Sequence, residues 1–267
     1  MSRPPYIRLW SLLWLCACPA LAAELKPETV AAFDRYVRAA EARIDGRLHG
    51  PGFLWADDSP ARLKAVRDGQ VVAEPVARQG DVGVAGGLVH DWIGAVFVPG
   101  ATLDRTLATV QDYDRVKVTH RPEVIDSKLL SRDGNHFRVY FRLMKKKVLT
   151  VVLNTEHDVR YFSIDAKRCH SRSYSTRIAE VTDPGKSSER EQPVGNDHGF
   201  LWRLYSYWRF EERDGGVYIE CEAISLTRDV PAGLGWLIEP IIRQLPAESL
   251  VNTLRSTRNA IAIAAPR

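Results

Sequence analysis

Residues 200 to 228 read FLWRLYSYWRFEERDGGVYIECEAISLTR, two long segments of alternating side chains joined at Asp214 and Gly215. Alternation with period two predicts strands, and an Asp-Gly pair between them predicts a tight hairpin turn. A turn at that point fixes the pairing, because a one-residue slip would move every side chain to the other face. Glu212 is then opposite Val217, Phe210 opposite Ile219, Trp208 opposite Cys221, and Leu204 near Ser225 or Ala223. One face carries Phe200, Trp202, Leu204, Ser206, Trp208 and Phe210 with Val217, Ile219, Cys221 and Ala223, and is expected to be dry. The other carries Arg203, Tyr205, Tyr207, Arg209 and Glu211 with Tyr218, Glu220 and Glu222. It is expected to be wet, with a cross-strand pair between Arg209 and Glu220.

The rest of the chain extends this pattern. LVHDWIGAVFVPG reads as a strand ended by Pro99 and Gly100, and ATLDRTLATVQDYDRV reads as a short helix with Leu103, Leu107 and Val110 on one face. EVIDSKLLS, HFRVYFRLM, LTVVLNTEHDVRYFSI and CHSRSYSTRIAEV read as successive strands before the hairpin. After it, PAGLGWLIEPIIRQLPAESLVNTLRSTRNAI reads as an apolar-striped helix interrupted at Pro240 and Pro246. Upstream, Pro27 opens a stretch with Val30, Phe33, Val37, Ala40 and Ile44 at helical spacing. The following GRLHGPGFLWADDSPARLKAVRDGQ is rich in turn formers and expected to be irregular, and Gly80 to Gly87 reads as a hinge.

The order of strand, short helices, six strands and long terminal helix resembles the helix-grip fold of the START-like superfamily. That superfamily includes plant pollen allergens, lipid-transfer START domains, aromatase/cyclases and coenzyme Q-binding proteins. The resemblance covers about Leu88 to Ile261, including the proline-glycine after the first strand and the hairpin from GFLW to SLTRD. It implies an α+β fold in which a curved antiparallel sheet wraps around a long C-terminal helix, here with an N-terminal helical extension. The expected organisation is residues 1-23 as a signal peptide, 24-80 as helix and irregular extension, and 81-267 as the START-like domain.

The signal-peptide reading comes from Arg3 and Arg8 ahead of an apolar run, Leu9 to Ala22, too short to span a bilayer and ending in Ala20, Leu21 and Ala22. It places the mature protein in the periplasm or outside the cell. The competing expectation is a lipoprotein signal around Cys16 and Cys18. Loss of two arginines lowers the net charge from +4 to +2, and the remaining basic residues are spread along the chain, which argues against a nucleic-acid partner. Lys145 to Lys147 reads as a solvated cluster at a turn, with transient membrane contact as the alternative. The chain is expected to be monomeric.

The resemblance implies a pocket between sheet and helix, with a filled core as the alternative. The residues expected to face it are Phe137, Phe141, Val151, Leu153, His157, Trp202, Leu204, Trp208 and Ile219, with Leu237 and Ile241 from the terminal helix. On CHSRSYSTRIAEV, one parity contains Arg172 and the other Arg177, so one arginine is expected inward in either phase, to anchor a polar ligand end with His157. Cys169 and Cys221 lie on strands two spacings of about 4.8 Å apart, beyond the roughly 7 Å limit for a bridge, and are expected to be free thiols. A bridge would require the chain around Cys169 to leave the sheet. Gly185, Lys186 and Ser187 lack the upstream glycine of a phosphate loop, His157 and Asp158 point to opposite faces, and the histidine spacings do not suggest a metal site. No cofactor is expected. The leading expectation is noncatalytic binding of a hydrophobic small molecule or lipid, such as an isoprenoid. A cyclase-like enzyme using His157 or a tyrosine, and a structural module with a filled core, remain open.

Overall fold

The computed structural model describes residues 23–48, 52–77, 80–147, 149–230 and 239–263, excluding the side chains of residues 240 and 241. The expected signal peptide and Leu237 lie outside the described residues.

The described chain runs β1 (Ala23–Glu24), α1 (Pro27–Leu48), a 3-10 turn (Trp55–Asp58), α2 (Pro60–Arg67), β2 (Val72–Pro75), β3 (Val82–Val84) and β4 (Gly87–Pro99). Then follow α3 (Leu103–Val110), a second 3-10 turn (Tyr113–Arg115), α4 (Val116–Thr119), β5 (Val124–Asp133), β6 (His136–Lys146), β7 (Thr150–Ser163) and β8 (Arg168–Thr182). The short strands β9 (Arg190–Glu191) and β10 (Asn196–Asp197) precede β11 (Arg203–Arg213) and β12 (Gly216–Arg228). A π turn (Pro240–Gln244) leads into α5 (Leu245–Ile263).

The main sheet has the order β2-β4-β12-β11-β8-β7-β6-β5, with β3 also on β4, and these pairings are antiparallel. The predicted hairpin register holds, with Trp208 opposite Cys221, Phe210 opposite Ile219 and Leu204 opposite Ser225. Asp214 and Gly215 both adopt positive φ, 55° and 76°, as a hairpin turn with matching twist requires. Helix α5 lies on the inner face, where Leu250, Leu254 and Ile261 join Val96, Val98, Phe210 and Ile219 in one core. Gly94 permits this approach, since a Cβ there would lie 2.8 Å from Leu254 Cδ1 and 2.9 Å from the Val72 carbonyl. This is the helix-grip arrangement. Cys169 and Cys221 are buried free thiols with β11 between their strands.

The outer face departs from expectation. Tyr207, Tyr218, Arg209, Glu220 and Glu222 are not wet, each being at most 2% exposed. The N-terminal segment covers them. On α1, Phe33, Val37, Ala40 and Ile44 pack against Val89, Tyr207, Ile224 and Leu226. The stretch expected to be irregular forms a second cover, in which Leu54, Trp55 and Val66 pack against Ile93, Phe97 and Tyr218. Ser59 starts α2 by accepting a hydrogen bond from the Arg62 N–H, and Pro60 follows at a position where no N–H is needed. Val72–Pro75 pair with β4, and Val82–Val84 form β3 within the stretch read as a hinge.

Buried charges on this face find partners within the sheet and in the N-terminal segment. Glu220 accepts from Arg209 Nε at 3.1 Å and from the Trp55 and Ala56 N–H groups at 2.9 and 2.7 Å. Arg43 on α1 donates to both oxygens of Glu222, Tyr36 donates to Asp91 at 2.9 Å, and Glu41 accepts from Tyr174 and Tyr207. Burial and the neighbouring Glu222 charge hold the Asp91 carboxyl well above the ordinary carboxylate range.

Candidate functional site

Three rows of side chains cross the inner face of the sheet. The middle row runs Val159, Ser173, Ser206, Ala223, Trp92 on successive strands. On one side of it lies Tyr161, Ser171, Trp208, Cys221, Gly94. On the other, His157 faces Ser175 and His90 faces Ser225, which faces Leu204. The small side chains in the centre cannot reach α5, and a cavity of about 330 Å³ remains between sheet and helix. That volume falls within the roughly 300–1,000 Å³ usual for small-molecule sites. Phe141, Leu143, Val151, Leu153 and Leu204 form its apolar wall, and Leu245, Leu250 and Ala260 close the helix side.

Polar groups interrupt this wall at defined places. The Trp208 indole donates to Ser206 Oγ at 3.2 Å, and the Tyr113 and Tyr161 hydroxyls meet at 3.0 Å. His120 bridges Thr119 and Thr257 with ring-nitrogen distances of 2.8 and 3.1 Å. Glu123 pairs with Lys145 and accepts from Asn252 at 2.8 Å. Lys145 lines the cavity and is mostly buried, so it is not part of a solvated lysine cluster. Burial lowers its ammonium pKa although Glu123 pulls the other way.

Of the residues expected to face the pocket, Phe141, Val151, Leu153, His157, Leu204 and Trp208 line the cavity. Phe137 and Ile219 share the inner face but lie in the packed core. The side chain of Ile241, like Leu237, lies outside what is described. Trp202 is on the opposite side, packed with the α1 cluster and donating to Asp197 Oδ1 at 3.0 Å. Regular pairing begins only at Arg203, so strand parity does not extend back to Trp202.

Neither arginine points inward. Arg172 pairs with Asp45 and Glu41 on α1, and Arg177 pairs with Glu191. A β-bulge explains this: Glu156 is opposite Arg177 while the next residue, His157, is opposite Ser175, leaving Thr176 as an extra residue in β8. The inward set changes from Ser171, Ser173 and Ser175 to Ile178 and Glu180, so Arg172 and Arg177 both turn outward.

His157 is buried, and its Nε2 lies 3.1 Å from Thr155 Oγ1. Burial holds its pKa down at about 4, so it is neutral near pH 7. His120 is likewise held at about 4 by burial, with Glu123 opposing. An unfolded histidine takes up its proton near pH 6.5, whereas these two stay neutral in the fold. Their stabilising contribution is therefore complete above about pH 6.5 and is lost as pH falls toward 4. Asp91 acts with opposite sign, its contribution fading as pH rises from about 4. The comparison that isolates His157 is His157→Gln: urea unfolding at pH 7 and pH 4.5 should show the variant losing about 2 kcal/mol less than the parent over that interval. Equal losses would mean that His157 does not carry the acid limb.

Sequence reading placed Ser206 on the inner face but did not assign Ser171, Ser173 and Ser225 to the cavity wall. Their signal was present, because small polar residues recurring at the parity of large aromatics mark places where a sheet cannot fill its own core. Among the described residues no group of three or more His, Cys, Asp or Glu side chains is placed to hold a metal ion.

No protein-family model and no curated protein matches the chain. Among solved structures, a protein from Thermus thermophilus is similar at 14% identity, over 65% of this chain and 98% of that one, with a TM-score of 0.48. A STAR-related lipid transfer protein from Xanthomonas axonopodis is similar at 16% identity over 68% and 97%, with a TM-score of 0.46. The Zhui aromatase/cyclase of Streptomyces sp. R1128 is similar at 14% identity over 65% and 93%, with a TM-score of 0.41. The helix-grip assignment itself rests on the strand order and on α5 lying along the inner face.

Proposed function

We propose that this chain is an exported carrier that holds a hydrophobic or amphipathic small molecule, of the lipid or isoprenoid class, between sheet and α5. The observation that carries the reading is the apolar-walled cavity of about 330 Å³ with a few hydroxyls and two histidines, His120 and His157, on its wall. Such a wall gains free energy by removing apolar ligand surface from water, at about 25 cal/mol per Å², while isolated hydroxyls orient a polar end. The Arg3 and Arg8 flank with its short apolar run supports export to the periplasm or beyond the cell.

Native mass spectrometry of the protein purified from its own periplasm, followed by lipid extraction, tests both parts. A mature N-terminus near Ala22 with a copurifying apolar ligand is expected. A lipid-modified Cys18 terminus would overturn the soluble form, and ligand-free protein that also rejects apolar dyes would overturn the carrier. Trp208→Ala is expected to weaken uptake of an apolar fluorescent dye while costing less than the roughly 3–5 kcal/mol of a fully packed aromatic. Full packing loss with unchanged uptake would indicate a filled core.

His157 has weak support as a proton-transfer group. It contacts a threonine hydroxyl rather than a carboxylate, and burial keeps it neutral. His157→Gln should accordingly leave dye affinity within about tenfold, or roughly 1.4 kcal/mol.

A further inference from the structure

Two residues beyond Ser225, at the end of β12, Thr227 lines the cavity and its Oγ1 lies 2.9 Å from His90 Nε2. His90 is fully buried on β4, and its Nδ1 lies 2.6 Å from Asp81 Oδ1. The second oxygen of Asp81 accepts from Arg243 Nη1 at 2.9 Å, just ahead of α5. The order is carboxylate, imidazole, hydroxyl, cavity.

This arrangement differs from those of the histidines described above and on the surface. His157 and His120 hydrogen-bond hydroxyls without a carboxylate, whereas His136 with Asp158 and His198 with Glu180 have carboxylate partners but are themselves partly exposed. At His90 the carboxylate fixes the tautomer, since Nδ1–H donates to Asp81 and leaves the Nε2 lone pair facing the threonine hydroxyl. A hydroxyl activated by a base that a third group orients is the arrangement required for nucleophilic catalysis. Thr227 Oγ1 also lies 3.1 Å from the Arg228 carbonyl, so its proton has two acceptors, of which only the imidazole can carry it away.

The geometry points to a second activity, hydrolysis of esters whose acyl group is apolar, with Thr227 as nucleophile and His90 as general base. Asp81 is a positioning residue, held by Arg243. In the reaction, Thr227 Oγ bonds to the carbonyl carbon and its proton passes to His90 Nε2. The carbon–oxygen bond to the alcohol then breaks and the alcohol leaves with that proton. Water, deprotonated by the same imidazole, bonds to the acyl carbon, the bond from that carbon to Thr227 Oγ breaks, and the imidazolium returns the proton to Oγ, so that ester and water become acid and alcohol. The inference rests on the proposed cavity, which would seat the acyl chain.

The full chain, purified without its N-terminal segment only if the cell removes it, is assayed with p-nitrophenyl octanoate, and uptake of the dye ANS is measured in parallel. Hydrolysis is expected, with an acid-quenched acyl adduct on the peptide containing Thr227. Thr227→Val and His90→Gln should each lower kcat at least about 100-fold, while Thr227→Ser retains turnover. Asp81→Asn should lower kcat with little change in KM and displace the pH profile, which loss of packing alone would not do. Wild-type protein that takes up ANS but does not hydrolyse the ester, or hydrolysis that survives Thr227→Val, overturns the activity and leaves the carrier intact. Failure of both uptake and turnover overturns the cavity reading itself.

Discussion

Glu220→Ala is expected to destabilise the chain by roughly 3–5 kcal/mol, because it strands a charged guanidinium inside the protein. Arg209 and Glu220 are each 1% exposed in their side chains, so water cannot take over when the carboxylate is removed. The same change removes the acceptor for the Trp55 and Ala56 N–H groups and so releases the cover formed by the 3-10 turn and α2. Urea unfolding measures the first effect, and limited proteolysis within residues 49–59 measures the second. Replacing both partners, Arg209→Leu with Glu220→Leu, should recover much of the loss, since no isolated charge then remains. A double variant as unstable as Glu220→Ala would show that the loss arises from the backbone acceptors and not from the stranded charge.

Ala223→Trp is expected to abolish dye uptake, a loss of at least about 100-fold, or roughly 2.7 kcal/mol of binding. Ala223 stands in the middle row beside Ser206 and lines the cavity, so an indole there occupies the space a ligand would use. Because the added group enters an existing cavity, the unfolding midpoint should fall little or rise. Fluorescence titration gives the affinity and thermal unfolding gives the stability. Unimpaired uptake would place the ligand elsewhere, and a large stability loss would mean that the space near Ala223 is already filled.

The inner half of the molecule was legible because one feature, the Asp214–Gly215 turn, fixes the phase of two strands, and antiparallel pairing passes that phase to their neighbours. Leu204 and Trp208 follow from it, and Phe141, Val151, Leu153 and His157 from the alternation on their own strands. The outer half was not legible, because alternation reports polarity and not what covers the polar side. Glu220 and Glu222 read as solvated but accept from partners more than a hundred residues away in the 3-10 turn and α1, and Arg209 is buried with Glu220 beneath that cover. Arg172 and Arg177 were misjudged for a local reason, since one extra residue in β8 changes which parity points inward. The pairing of Asp81, His90 and Thr227 is dispersed over three elements and has no signature in sequence spacing.

The cover on the outer face has a mechanical consequence. With α1 fastened to Glu222 through Arg43 and the 3-10 turn fastened to Glu220 through the Trp55 and Ala56 N–H groups, the back of the sheet is splinted, and β12 cannot shift against this cover without breaking those links. On its other side the cavity is closed by α5, whose Leu250, Leu254 and Ile261 join the core and whose Glu248 and Asn252 reach Lys147 and Glu123 at the rim. The wall that lines the cavity is therefore braced from behind by the N-terminal cover.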